Sequence, residues 1–259
     1  MQIYFDNSNL NSNSGPNSFA RKLFTQLAKM GHDCTVQPIK ESYKKSNAVI
    51  LQSEFNKELT EKYFGTHNNR YVINNGSDLN LMNKIKPLEH DIFKDFDNVW
   101  CCASSWRPHK RLKENINYFL THSDKNDCLI IAGNNPDYQI KNSRIFYVGN
   151  LDQITLFSLY KRSKYFIHLA FLDHCPNVVV DARAAGCKII CSSSGGTKEV
   201  AGIDAIVVKD IDWNFEPLKL YEPPELDLNS FISNDYYTNI DIENVAFRYE
   251  SAMLSVING

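Results

Sequence analysis

Two carboxylates eight residues apart, Asp173 and Asp181, flank a small-residue segment running from Asn177-Val178-Val179-Val180 to Ala184-Ala185-Gly186. An apolar run ends near Ala170, so the pattern predicts a strand, a turn carrying Asp173, and a helix capped by Asn177. The free amides at such a helix start, those of Asn177 and Val178, form an anion site suited to a diphosphate. On that reading Asp173 stands near the phosphate-linked group, and Asp181, one turn on, is within reach of ribose hydroxyls. A second segment, Ser192-Ser193-Ser194-Gly195-Gly196-Thr197-Lys198-Glu199, is also glycine-rich and opens a helix, which gives a second anion site.

These turns need strands behind them. In the first part of the chain, Gln2–Phe5 reads as a strand, Asp6–Asn17 as a polar loop, and a helix starts at Gly15-Pro16, with Phe19, Leu23, Leu27 and Met30 at helical spacing and Gly31 as its stop. Strands are predicted at Asp33–Gln37, Asn47–Gln52 and Tyr71–Gly76, with a helix capped by Ser53 between the last two. The later part alternates more cleanly. Strands at 99–103, 128–132, 144–148, 165–170, 188–192 and 205–208 are interleaved with helices at 110–121, 153–163, 177–186 and from Gly196, and a terminal helix covers about 240–257. Alternation of this kind implies right-handed crossovers and a mostly parallel sheet covered on both faces. The charged stretch 80–98, with Pro87 inside, separates two α/β lobes, 1–95 and 96–238. Residues 239–259 form a helix packing back across the cleft.

Composition narrows the partners. With 259 residues, two small lobes are favoured at ~150 residues per domain. Lys+Arg 28 against Asp+Glu 30 leaves a net charge of -2, which excludes a global field drawing the chain to nucleic acid or an acidic membrane. Seven cysteines lie mostly in apolar runs with no C-x-x-C pair, as reduced, buried thiols do. The chain opens on a strand pattern rather than a charged leader, and no apolar run reaches ~20 residues. The expected location is the cytoplasm, with no transmembrane segment.

The ordered motifs over residues 47–210 resemble the nucleotide-sugar-dependent glycosyltransferases of the GT-B fold, most closely family 4, whose members retain anomeric configuration. Asp173 and Asp181 occupy the family's two acidic places, usually Glu, and Gly195, Gly196 and Glu199 its Gly-Gly-x-x-Glu places, with Thr197 between them. Tyr71-Val-Ile-Asn74-Asn75-Gly76-Ser-Asp78 resembles the hinge-proximal Pro-Asn-Gly-Val-Asp segment. Phe146-Tyr-Val-Gly149-Asn150, followed by Leu151, resembles the turn that packs on the nucleobase, and Cys128-Leu-Ile-Ile-Ala-Gly133 the family's Gly-ending strand. The resemblance implies two Rossmann-like lobes, donor in the second and acceptor in the first. Lys110 matches the family's phosphate-site lysine, whereas Ser105 stands where its arginine is expected and Arg107 takes that task. Gly15 matches the first-lobe glycine loop on the acceptor side, with Asn75 and Gly76. The first lobe is shorter than the family's, and neither His32 nor His67 matches its catalytic histidine.

What the resemblance implies is transfer of a hexosyl or pentosyl group from a nucleotide-diphosphate sugar to a hydroxyl-bearing acceptor. Asp173, Lys110 and Arg107 are the catalytic candidates, and no cofactor or metal is implied. Two Asp-x-Asp pairs, Asp95/Asp97 and Asp210/Asp212, are read as non-metal. The rival readings are a nucleotide-sugar epimerase of the same fold and a nucleotide-sugar-binding protein without catalysis.

Overall fold

The computed structural model describes residues 2–6, 15–37, 43 and 46–257. The loop expected over Asp6–Asn17 therefore lies largely outside the described residues. The first lobe contains β1 (Gln2–Asp6), α1 (Gly15–Lys29), β2 (Asp33–Gln37), β3 (Val49–Leu51), α2 (Glu54–Phe64) and β4 (Arg70–Val72). β1 pairs with β2 and β3 with β4, both in parallel. The expected spacing on α1 holds: Phe19, Leu23 and Leu27 are buried. Their partners include Ile242, Val245 and Ala246 of the terminal helix α8 (Ile242–Ile257), which lies on the first lobe.

The stretch expected to be irregular is ordered. Asp78 caps α3 (Leu79–Lys84) by accepting from the Leu81 amide at 2.8 Å, and a 3-10 turn covers Asp91–Asp95. Met82 and Phe93 are buried in one cluster with Val99 and Phe157 of the following lobe, so residues 79–96 pack with the second lobe. The charges and Pro87 that marked this stretch as a linker sit between apolar positions spaced to reach that core.

The second lobe comprises β5 (Val99–Ala103), α4 (Leu112–His122), β6 (Cys128–Ala132), β7 (Ile145–Gly149), α5 (Gln153–Arg162), β8 (Tyr165–His168), α6 (Asn177–Ala184), β9 (Lys188–Ser192), α7 (Thr197–Ala201), β10 (Ile206–Val208) and β11 (Phe231–Ile232). They form a seven-stranded sheet of order β11-β10-β9-β8-β5-β6-β7, parallel except for β11. Successive residues of the central strands face opposite layers: Cys101 and Ile130 join the core under α5 and α6, while Trp100, Cys102 and Leu129 join the core under α4. Near-continuous apolar runs in β5, β6 and β9 are the sequence counterpart of this two-sided burial.

One consequence positions the site. The sheet grows from β5 in both directions, to β6–β7 on one side and β8–β9–β10 on the other. The loops leaving the carboxyl ends of β5 and β8 therefore diverge and open a crevice at the switch in strand order.

Candidate active site

The loop after β5 and the loop after β8 meet through Lys110 and Asp173. Pro108–Lys110 forms a 3-10 turn, Arg111 takes a left-handed conformation (φ 52°), and α4 begins only at Leu112. This break in the expected helix sets Lys110 on the crevice, where its Nζ donates to Asp173 Oδ2 at 2.5 Å. His168, the last residue of β8 and buried, lies 2.9 Å from the same oxygen through Nε2. A carboxylate only accepts, so His168 donates through an Nε2–H. Burial disfavours a charged Asp173, but the Lys110 ammonium and the His168 hydrogen bond outweigh it and hold the carboxyl well below its ordinary range. Burial pushes His168 and His174 down, and pushes His109 down to about 4 with the Lys110 charge adding to it. All three rings are neutral near pH 7, and among the described residues Lys110 is the ammonium that meets Asp173, while Arg107, just ahead of the same turn, is exposed.

Glycines lock the turn that carries Asp173. A side chain on Gly195 (φ 75°) would meet the Asp173 carbonyl oxygen at 2.5 Å, and one on Gly196 would meet the His174 carbonyl oxygen at 2.0 Å. The Gly196 amide donates to the Asp173 carbonyl at 2.7 Å, so this N–H, expected to face an anion, instead fixes the turn that carries Asp173. Gly133 does the same for the loop after β5. Its φ is 114°, and a Cβ there would lie 1.7 Å from the Ser104 carbonyl oxygen, at the root of the loop bearing Lys110. Its amide donates to the Gly149 carbonyl at 2.7 Å, which joins the ends of β6 and β7. Gly149 and Asn150 are exposed at that end, and Leu151 leans on the core. Gly133→Ala is therefore expected to cost at least ~1–3 kcal/mol from backbone strain alone and to loosen the Lys110 loop. A urea midpoint equal to wild type would contradict this.

The remaining expected site residues form the junction between the lobes. The α6 helix starts at Asn177 with Pro176 as its cap residue, so Asn177 does not cap it; its Oδ1 instead accepts from Asn75 Nδ2 at 2.8 Å. Asn75 Nδ2 also donates to the Cys175 carbonyl at 2.9 Å. Val178 is partly buried against the second-lobe core. Asp181 Oδ1 accepts from Lys22 Nζ of α1 at 2.5 Å and from Ser77 Oγ at 2.6 Å. Gly76 packs on the start of α8, where a Cβ would lie 3.0 Å from Ile242 Cα. Gly15 opens α1.

Glu199 also reaches across. Its two oxygens accept the amides of Glu54 (2.8 Å) and Phe55 (3.1 Å), the first turn of α2, in the favourable orientation for a helix dipole. Burial raises its pKa, with these amide bonds opposing. Gly196 sits against this contact, since Ser53, the α2 cap, lies 2.6 Å from where a Gly196 Cβ would be, and Thr197, which opens α7, is buried. Glu199→Ala should leave two helix amides unpaired and cost ~0.5–2 kcal/mol. A thermal melt unchanged by the substitution would show that this contact contributes nothing to holding the lobes together.

Sequence reasoning missed His168, a lone histidine inside an apolar strand, although its place five residues before Asp173 was a signal. It also missed Lys22 and the burial of Arg111. Arg111 is fully buried, pairing with Asp210 Oδ2 at 2.6 Å and donating to the Pro224 carbonyl at 2.8 Å. Asp210, one of the Asp-x-Asp acids, is thus committed to an ion pair. Among the described residues no group of three His, Cys, Asp or Glu is placed to hold a metal.

This is the GT-B architecture. The chain superimposes with a TM-score of 0.62 on AviGT4, a glycosyltransferase involved in avilamycin A biosynthesis, at 12% identity over 100% of this chain and 99% of that one. For Anabaena HepE in complex with UDP and glucose the TM-score is 0.57 at 17% identity, covering 81% of this chain and 64% of that one. For WaaG, a glycosyltransferase involved in lipopolysaccharide biosynthesis, it is 0.54 at 10% identity, covering 99% and 93%. Residues 97–215, the greater part of the second lobe, match the family described as Glycosyl transferases group 1. Among curated proteins none matches the chain by sequence. No described helix is long and apolar enough to cross a membrane.

Proposed function

We propose that the protein is a glycosyltransferase that moves a hexosyl or pentosyl group from a nucleotide-diphosphate sugar to a hydroxyl-bearing acceptor, with retention of configuration and without a metal or other cofactor. The observation that carries this reading is the Lys110–Asp173 pair at the switch point of the parallel sheet, beside the amino end of α6. A crevice at this point is where open α/β sheets take their ligands. The match of residues 97–215 to group 1 glycosyltransferases and the UDP and glucose bound by HepE support the same assignment.

In this reading the diphosphate lies between Lys110, Arg107 and the first amides of α6. Its charge grows as the glycosidic bond breaks, and a fixed ammonium in a partly buried site stabilises that change with little reorganisation. Asp173, kept ionised by Lys110 and His168, faces the positive charge that develops on the sugar. Asp181 takes the ribose through Oδ2, its Oδ1 being held by Lys22 and Ser77. The Gly133–Gly149 strand ends, with Asn150 and Leu151, receive the nucleobase. Six of the seven cysteines, Cys101, Cys102, Cys128, Cys175, Cys187 and Cys191, are buried and unpaired, which supports a reducing compartment such as the cytoplasm.

Incubation with nucleotide sugars in excess chelator, followed by phosphorus NMR, tests the reading. A transferase slowly hydrolyses its donor when no acceptor is supplied. An altered but intact sugar nucleotide would instead indicate an epimerase, and an untouched one a binding protein.

A further inference from the structure

A second cavity of about 230 Å³ lies beside the Gly195–Gly196 turn, between the start of α2 and the segment 211–215 that follows β10. Its walls combine two chemistries. Phe55, Trp213, Phe215 and Tyr236 supply aromatic surface, with Phe55 and Phe215 stacked at 6.0 Å and Trp213 5.1 Å from Phe215. Glu58 and Asp212 supply carboxylates, beside Glu54, which is paired with Lys57 at 2.7 Å, and the α2-capping Glu199, against the single ammonium of Lys198 among the lining residues. The two lobes are tied on either side of it: Tyr63 Oη donates to the Phe215 carbonyl at 2.6 Å, and Asn56 contacts His174 at 2.9 Å. Leu172 and Gly195 form its inner wall, so its floor adjoins the turn that holds Asp173.

We infer that this cavity is the acceptor subsite and that it takes a single uncharged or amino-bearing sugar ring. The inference rests on the transferase reading and adds the acceptor's chemistry to it. Aromatic faces cover the apolar C–H faces of a pyranose, and carboxylates accept from its hydroxyl or ammonium groups. The volume, below the ~300–1,000 Å³ of sites for drug-sized ligands, accommodates one ring. The excess of carboxylates excludes phosphorylated or uronic sugars by like-charge repulsion.

Trp213 gives a direct readout, because it is partly exposed while Trp100 and Trp106 are buried. The full-length protein is titrated with methyl glucopyranoside, glucosamine and glucose 6-phosphate, following tryptophan emission and saturation-transfer NMR. The neutral and amino sugars are expected to give saturable changes at millimolar concentration, lost from the emission in Trp213→Phe and weakened at least several-fold in the NMR by Phe55→Ala. Glucose 6-phosphate should give no response until Asp212→Lys is introduced at this exposed position. An equal response to glucose 6-phosphate in the wild type, an emission change surviving in Trp213→Phe, or no response to any sugar would overturn the inference. Donor hydrolysis by the wild type is scored separately: its absence with sugar binding intact refutes the transferase reading and leaves the cavity a sugar site.

Discussion

Replacing Asp173 with alanine is expected to lower kcat by about 10²–10³ while changing the donor KM little, the size of loss seen when one preorganised electrostatic group is removed from a transition state. The carboxylate is already ionised and already oriented, held by Lys110 at 2.5 Å and His168 at 2.9 Å, so in the proposed reaction its field is present before the sugar acquires charge. Asn at 173 preserves shape and one acceptor but not the charge, and should recover little. Because the Asp173 carboxyl is held far below the ordinary value of 3.8, no acidic limb near neutrality should arise from it. Initial rates at saturating donor check this. Normal turnover by both variants would mean that Asp173 only anchors Lys110.

The second large effect is on stability. Arg111→Ala should cost ~3–5 kcal/mol, because it strands the Asp210 carboxylate in a site where both side chains are fully buried. At roughly 2–4 °C per kcal/mol for a chain of this size, the melting temperature should fall by ~6–20 °C. Arg111 also lies 4.9 Å over the Phe171 ring and binds the Pro224 carbonyl, so it joins the loops after β5, β8 and β10. Replacing both partners, as in Arg111→Met with Asp210→Leu, should be less damaging than either single change, since no unpaired charge remains. The pH dependence follows from the sign of the shift. Burial opposes ionisation of Asp210, but Arg111 and the Ser192 hydroxyl outweigh it and hold its pKa below 3.8. The pair's contribution is therefore complete above that value and lost as the pH falls through the depressed one. Single variants melting with the wild type would show the pair to be dispensable.

The parts of the site legible in the sequence were those set by local pattern. β2 (Asp33–Gln37) and β5, β6 and β9 fall where apolar runs bounded by turn residues placed them. Strand–turn–helix alternation put Asp173 on a loop at a strand end and Lys110 at the start of the helix after β5, and strand order then joined them, with Lys110 in a 3-10 turn ahead of that helix. What the pattern could not give was the identity of partners distant in the chain. Glu199 binds the α2 amides 144 and 145 residues away, and Asp181 reaches Lys22 across 159. A charge run such as Arg107–Arg111 looks solvated because spacing does not reveal burial: Arg107 is exposed, Lys110 half-buried and Arg111 enclosed. Residues 79–96 misled in the opposite sense. Their charges hid Met82 and Phe93, which complete the second-lobe core.

The most direct test of the nucleotide-diphosphate site is a calorimetric titration of UDP and of ADP, in chelator, into the wild-type protein and Lys110→Ala. HepE has been seen with UDP and the starch synthase IV catalytic domain of Arabidopsis thaliana with ADP, which makes these two the natural probes. One of them should bind saturably at a single site, and loss of the charge-assisted contact should weaken it by ~1.5–3 kcal/mol, about 10- to 150-fold. Binding of equal strength to both proteins would place the phosphates away from Lys110 and contradict the assignment of the crevice.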